Sequence, residues 1–168
     1  EIMTLASFFL VMFDGERAET ISAGWTYLVA THLGTAFLLA MFVLLGGRET
    51  TMDFSRLQAD SPAVADVCFL LALVGFGTKA GLVPLHVWLP QAHPAAPSHV
   101  SAVMSGVMIK TGIYGLLRTL TLLGTPPLWW GWTLVGIGAA SGVFGVLLAL
   151  AQHDLKRLLA YHSVEHLG

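Results

Sequence analysis

The chain has 168 residues, of which 55% are hydrophobic and only 11% are charged. A soluble domain carries about 25% charged residues, so this chain has too few charges to cover a surface that faces water. The formal net charge of −2 excludes the basic surface used for nucleic-acid binding, and a single cysteine excludes a disulfide framework. With a mean hydropathy of +0.75, the composition predicts a multi-pass integral membrane protein.

The first apolar stretch, residues 1–13, is too short to cross a bilayer, which needs about 20 helical residues. We interpret it as the second half of a helix, and we expect the sequence to be a piece of a longer chain at both ends. The second stretch, residues 21–46, is long enough to cross. Polar residues 47–61 then form a loop.

The third apolar stretch, residues 62–93, would be about 48 Å long as one straight helix, which is well beyond the bilayer core. Glycines and prolines interrupt it at Gly75, Gly77, Gly81, Pro84 and Pro90. We therefore predict a helix broken near 81–85, with a second short half at 85–91. Irregular backbone at membrane depth is typical of transport pathways, with an ordinary proline kink as the alternative.

Two further spans are predicted at 97–123 and 128–152, and another helix begins within 155–168. The fold class is therefore an all-α, polytopic transmembrane helix bundle. Three tryptophans near the start of the fifth stretch are placed for an interfacial belt: Trp129, Trp130 and Trp132. The loop cations divide equally between the two sides, so the positive-inside rule favours neither orientation.

Two lysines fall at central depths of neighbouring spans. Lys79 lies 12 residues beyond Val67, and Lys110 lies 12 residues beyond Ser98, which places each about 18 Å along its helix. A lysine at the centre of a span costs about 2.5–3.5 kcal/mol on insertion scales. Residues kept at that cost indicate function, and an amine, unlike a guanidinium, can release its proton. Pairing with a carboxylate for packing alone is the alternative.

Glu1 and two histidines complete the candidate proton-handling groups. Glu1 heads an apolar run, so it is either a mid-membrane partner of Lys79 or a residue at a helix end. Histidine titrates near neutral pH and can relay protons. His32, inside the second span, and His86, beside the break, are the relay candidates, although a buried histidine is more often structural. His93 and His99 flank the turn at residues 94–97, so we expect an interfacial or loop-ordering role for them. No spacing indicates a metal or cofactor site.

Residues 77–118, GTKAGLVPLHVWLPQAHPAAPSHVSAVMSGVMIKTGIYGLLR, resemble the signature of proton-conducting antiporter-like membrane subunits. These subunits occur in NADH:quinone oxidoreductase, membrane-bound hydrogenases, formate hydrogenlyase and multisubunit cation/proton antiporters. EIMTLASFFLV at the start and DLKRLLAYHSV near the end fit the same family. The motifs are most similar to the hydrogenase-4 and formate hydrogenlyase branch, except at Glu165-His166, where a Glu-Asn pair is expected.

The resemblance implies a fragment of a bundle of about fourteen helices built from inverted repeats. It implies that Glu1 and Lys79 form a charge pair that modulates the basicity of the lysine, and that Lys110 passes the proton onward. It also implies partners: other membrane subunits and a peripheral hydrogenase or NADH dehydrogenase-like module, in a prokaryotic inner membrane.

The leading hypothesis is a proton-translocating subunit, without a cofactor or redox centre of its own, coupled to electron transfer in its partners. The alternative is a subunit of a cation/proton antiporter with no redox partner, in which Na⁺ is a further candidate ion. A haem-binding subunit that uses His32 as a ligand and a purely structural scaffold are the remaining alternatives.

Overall fold

The computed structural model describes residues 1–46, 57, 59 and 61–168. All regular elements in these residues are helices, which confirms the all-α prediction for this part of the chain. The polar loop predicted at 47–61 lies almost wholly outside the described residues. The helices are α1 (Ile2–Val11), α2 (Ala18–Gly46), α3 (Pro62–Ala80), α4 (Leu89–Ala95), α5 (Ser98–Val103), α6 (Ile109–Leu122), α7 (Leu128–Leu150) and α8 (Leu155–Leu167).

Within the residues that the structure describes, four helical spans are long and apolar enough to cross a membrane. They are α2, α3, α7 and the span Ser98–Leu122, in which a π-helical turn at Met104–Met108 joins α5 to α6. Helix α2 begins at Ala18, three residues before the predicted start of its span, and Glu19 lies in its first turn. A carboxylate at that position interacts favourably with the helix dipole, and this extends the helix toward the polar residues.

The predicted break in the third stretch is present and longer than expected. Helix α3 ends at Ala80, and α4 begins only at Leu89, whereas the sequence predicted a short half at 85–91. The difference depends on Pro90, the second residue of α4. Proline is tolerated there because its missing N–H would have no helical partner, so Pro90 begins the second half and does not end it.

The bundle is organised around α3, which packs against both α2 and α6. Helix α1 packs on α2, α7 packs on α8, and the short α4 lies against both α2 and α8. Two apolar clusters of buried side chains lie between these helices. One surrounds the buried Trp88 and joins α1, α2, α4, α5 and α8; the other surrounds the buried Phe69 and joins α2, α3, α6 and α7.

The outer faces of the spans carry large apolar side chains. Val29 and Leu33 on α2 and Val143 and Leu147 on α7 are all more than half exposed. A soluble monomer rarely exposes a contiguous surface of this kind. The arrangement matches a bundle whose outer surface is covered by lipid or by neighbouring helices.

The three tryptophans at the start of α7 do not behave alike. Trp132 is 69% exposed and suits the predicted interfacial belt, whereas Trp130 is 1% exposed. The ring of Trp130 stacks on Phe69 with 4.6 Å between centroids, and its indole Nε1–H donates to Asp66 Oδ1 at 2.8 Å. Trp130 therefore fastens the start of α7 to the start of α3.

Candidate functional site

Helix α3 ends immediately after Lys79 because Gly81 adopts a left-handed conformation with φ 79°. Glycine takes this conformation without the steric cost that a Cβ brings. The Gly81 N–H donates to Gly77 O at 2.8 Å, and the Leu82 N–H donates to the same carbonyl at 3.0 Å. The lysine thus lies on the last turn of α3, beside the irregular residues that follow.

Three glycines bring the neighbouring helices close to this end of α3. A Cβ added to Gly34 on α2 would lie 3.1 Å from Gly75 O on α3. A Cβ added to Gly112 on α6 would lie 2.8 Å from Ala80 N. Small residues allow the close helix crossings that are typical of membrane bundles, and here they fix the surroundings of Lys79.

Lys79 lines a cavity of about 200 Å³, which we call the inner cavity. Its side chain is partly buried. Glu1 lines the same cavity, so the structure brings these two predicted residues together. The complete lining is Glu1, Thr4, Tyr27, Thr31, Thr35, Leu38, Leu39, Phe42, Gly75, Lys79, Trp88 and Met108.

Glu1 and Lys79 do not form a direct ion pair. The Glu1 carboxylate Oε2 lies instead 3.6 Å from Nε2 of His32, whose Nδ1 lies 2.9 Å from the carbonyl of Leu28. In the described part of the chain, no carboxylate lies within 4.0 Å of the Lys79 ammonium. His32 therefore contacts the predicted site through Glu1, and Glu1 has both an imidazole and the Lys79 amine near it.

Hydroxyl groups from α2 line the inner cavity, and the sequence reasoning missed them. Tyr27 is 1% exposed, and its hydroxyl lies 3.6 Å from Met108 Sδ. The Thr31 hydroxyl donates to Tyr27 O at 2.7 Å, and the Thr35 hydroxyl donates to Thr31 O at 3.1 Å. Their spacing of four residues places these three side chains on one helix face. A polar stripe of this kind in an apolar span is the sequence pattern that could have identified the hydroxyls.

Trp88 closes one side of the inner cavity. Its side chain is fully buried and meets the Tyr27 ring edge-on, with 5.1 Å between centroids. Its indole Nε1–H donates to Thr78 O at 2.8 Å, beside Lys79. This bond ties the irregular residues after the break to the last turn of α3.

A second and larger cavity of about 710 Å³ lies at the end of the bundle where α2 begins, α4 ends and α8 begins; we call it the end cavity. His86 and Tyr161 line it, with 6.4 Å between their ring centroids. Both acidic and basic residues line this cavity, which makes it a site of mixed charge. These residues are Asp14, Arg17, Glu19, Lys156 and Arg157.

Two imidazole nitrogens near the break are buried. His86 Nδ1 and His93 Nε2 have no hydrogen-bond partner among the described residues. His93 is 3% exposed, and its Nδ1 bonds to the hydroxyl of Ser101 across the junction between α4 and α5. This bond suits the predicted role of His93 in ordering the turn, and the side chain is buried within the bundle. His99 is exposed.

Lys110 is not at the inner cavity. It is the second residue of α6, immediately after the π-helical turn, and its side chain is exposed. Met108, two residues earlier, does line the inner cavity. The structure therefore places Lys110 on the outer side of the same span that contacts the Lys79 site. No group of three potential metal-ligating side chains lies together within the described ranges.

Comparison with known proteins identifies the family. The family model for the transmembrane region of NADH:quinone oxidoreductase and Mrp antiporter subunits matches residues 1–168. Hydrogenase-4 component B of Escherichia coli (strain K12) is 49% identical over 173 residues, covering 100% of this chain and 26% of the relative.

Two solved structures superpose closely on this chain. A chain of the membrane-bound sulfane sulfur reductase, an archaeal respiratory membrane complex, has a TM-score of 0.88 at 29% identity, covering 99% of this chain and 35% of that chain. A chain of the Mrp complex from Dietzia sp. DQ12-45-1b has a TM-score of 0.85 at 28% identity, covering 99% of this chain and 32% of that chain.

This chain therefore spans about a quarter of the hydrogenase-4 relative and about a third of each structural neighbour. The match along its whole length confirms the resemblance that the sequence motifs indicated, and with it the multi-pass membrane location. The chain belongs to the NADH:quinone oxidoreductase/Mrp antiporter family of transmembrane subunits.

Proposed function

We propose that this chain is part of a membrane subunit that moves protons across the bilayer, driven by electron transfer in partner subunits. The observation that carries the proposal is the inner cavity, where an amine and a carboxylate meet a row of hydroxyls inside a membrane bundle. Ionisable residues at such a position are costly and mark proton pathways in pumps and transporters. The family membership supports the same function.

Lys79 is the proton carrier in this proposal. Because it lies on the last turn of α3 and lines the inner cavity, its ammonium can exchange protons with groups in that cavity. Glu1 modulates this exchange, since a nearby carboxylate favours the charged form of an amine. Movement of Glu1 between His32 and Lys79 would make and break that electrostatic stabilisation.

His86 brings protons from the end cavity toward Lys79, and Lys110 receives them beyond it. The supporting geometry for His86 is its place in the break, with one face in the end cavity and Trp88 two residues further on at the inner cavity. The support for Lys110 is the π-helical turn before it, which contacts the Lys79 site through Met108. π-Helical turns within α-helices are frequent at functional sites.

The partners in this proposal are other membrane subunits and a peripheral redox module, with hydrogenase favoured by the similarity to hydrogenase-4 component B. The subunit itself holds no redox centre and contributes no bond-making chemistry. The second candidate is a subunit of a cation/proton antiporter, with Na⁺ as a further transported ion, and the superposition on the Mrp complex favours it. Genes for nickel–iron hydrogenase subunits beside the full reading frame would support the first, and genes for small antiporter subunits the second.

The test of the proposal is proton uptake driven by the redox substrate in inverted vesicles that contain the full-length subunit in its complex. We expect Lys79→Ala to abolish the gradient while electron transfer is partly retained, because the substitution removes a proton carrier. Arg118→Ala is the matched control: this arginine is exposed on the span that carries Lys110 and lines neither cavity. A wild-type gradient in Lys79→Ala at matched expression would show that the lysine is structural.

A further inference from the structure

Lys156 on α8 holds the end of the short helix α4. Its ammonium Nζ donates to Ala96 O at 2.9 Å and to Pro94 O at 3.4 Å. The chain leaves the helical conformation at Ala96, whose ψ is 148°, and no backbone N–H in the described part of the chain donates to Ala96 O. A cation that bonds the last carbonyls stabilises the carboxyl end of a helix. Lys156 therefore donates to two carbonyls where α4 ends, one of which no backbone N–H in the described residues reaches.

Helix α8 presents Lys156 from a fixed position. The Asp154 carboxylate caps the helix by accepting from the Arg157 N–H at 2.9 Å. Ala160 and Val164 are fully buried on the inner face of α8, and α8 packs against both α4 and α7. A displacement of α8 would consequently pull on the end of α4.

The same helix contacts the π-helical turn that precedes Lys110. Ser163 donates its hydroxyl proton to Leu159 O at 2.9 Å. Since that proton is used, Ser105 is the donor in the 2.9 Å bond between the two serine hydroxyls. Ser105 belongs to the π-helical turn Met104–Met108, so α8 contacts a side chain of the turn that precedes Lys110.

We propose that α8 is a strut that couples the break after Lys79 to the π-helical turn before Lys110, and that Lys156 is its positioning residue. Lys156 and Ser163 are seven residues apart, which is about 10.5 Å along a helix. Tyr161 lies between them, beside His86. Movement at one lysine is thereby transmitted to the other. This inference rests on the proposed proton path and adds the coupling between its two halves.

The experiment compares Lys156→Met, Lys156→Arg and Arg118→Met in the full-length subunit within its complex. Lys79→Ala is included as the reference for the proposed function. Lys156→Met keeps the aliphatic stem but removes the donors, and Lys156→Arg keeps donors that can reach the carbonyls. We expect Lys156→Met to lower the initial rate of proton uptake about tenfold, the loss that corresponds to one charged hydrogen bond. We expect Lys156→Arg to restore most of it, and Arg118→Met to leave it unchanged.

Amide hydrogen exchange separates positioning from a loss of the fold. Positioning predicts faster exchange in α4 of Lys156→Met, with α3 unchanged and the complex assembled in the wild-type amount. If Lys156→Met does not assemble, Ser105→Ala provides the same test from the other contact of α8, and we expect a severalfold slower uptake.

Wild-type uptake in Lys156→Met, or lost uptake with unchanged exchange in α4, would overturn the inference. Retained uptake in Lys79→Ala would instead overturn the proposed function. These two results therefore distinguish a failure of the inference about α8 from a failure of the proposed function.

Discussion

The close approach of α6 to α3 beside Lys79 makes Gly112→Ala the most informative packing substitution. The new Cβ would lie 2.8 Å from Ala80 N and 2.9 Å from Phe76 O, whereas ordinary contact begins at 3.4 Å. Both contacting atoms belong to a helix backbone and cannot rotate away. The helices must therefore separate by about 0.6 Å, and overpacking of this kind costs about 1–3 kcal/mol.

Gly136→Ala on α7 is the matched control, because a Cβ there would meet nothing within 4 Å. Each substitution gains about 1 kcal/mol of intrinsic helix propensity, so the difference between the two variants isolates the clash. We expect Gly112→Ala to be less stable than Gly136→Ala by about 1–3 kcal/mol. Thermal unfolding of the purified full-length protein measures this difference, and proton uptake reports the displacement of Lys79. Equal melting midpoints with wild-type uptake would refute the reasoning about this crossing.

Three further substitutions test individual contacts. Trp130→Phe removes the donor to Asp66 and should destabilise the bundle by about 1–3 kcal/mol, measured as a lower melting midpoint; an unchanged midpoint would mean that the bond contributes little. Ser141→Ala removes the hydroxyl oxygen that accepts from the Val83 N–H at 3.0 Å, so amide hydrogen exchange at Val83 should accelerate. Unchanged exchange would contradict a role for this hydrogen bond. Tyr27→Phe keeps the ring but removes its hydroxyl from the inner cavity, so proton uptake should slow severalfold at unchanged stability. Wild-type uptake would exclude that hydroxyl from the proton path.

The sequence predicted much of the architecture because lipid imposes simple rules on it. Apolar length identifies the spans, and the glycines and prolines after Lys79 identify the break. The start of α4 was wrong by four residues because the sequence does not say whether Pro90 ends a helix or begins one. The buried position of Trp130 was missed because it depends on a partner, Phe69, that is distant in the chain.

The candidate site was only partly predictable for the same reason. Lys79 and Glu1 were identified by the cost of charge in a membrane and by family resemblance, and the structure places them at one cavity. Their roles in proton transfer stay predictions. The contact between Glu1 and His32, the hydroxyls of α2 and the bonds from Lys156 to α4 arise from packing between helices, and residue spacing alone does not encode them.

The central claim is that Lys79 accepts and releases a proton during turnover, and Lys79→Arg tests it most directly. Arginine keeps the positive charge and nearly the same reach, but it does not release its proton at working pH. The measurement is proton uptake driven by the redox substrate in inverted vesicles, at matched expression of the full-length complex. We predict that Lys79→Arg forms no gradient while electron transfer is partly retained. A full gradient in Lys79→Arg would contradict the relay role of this lysine.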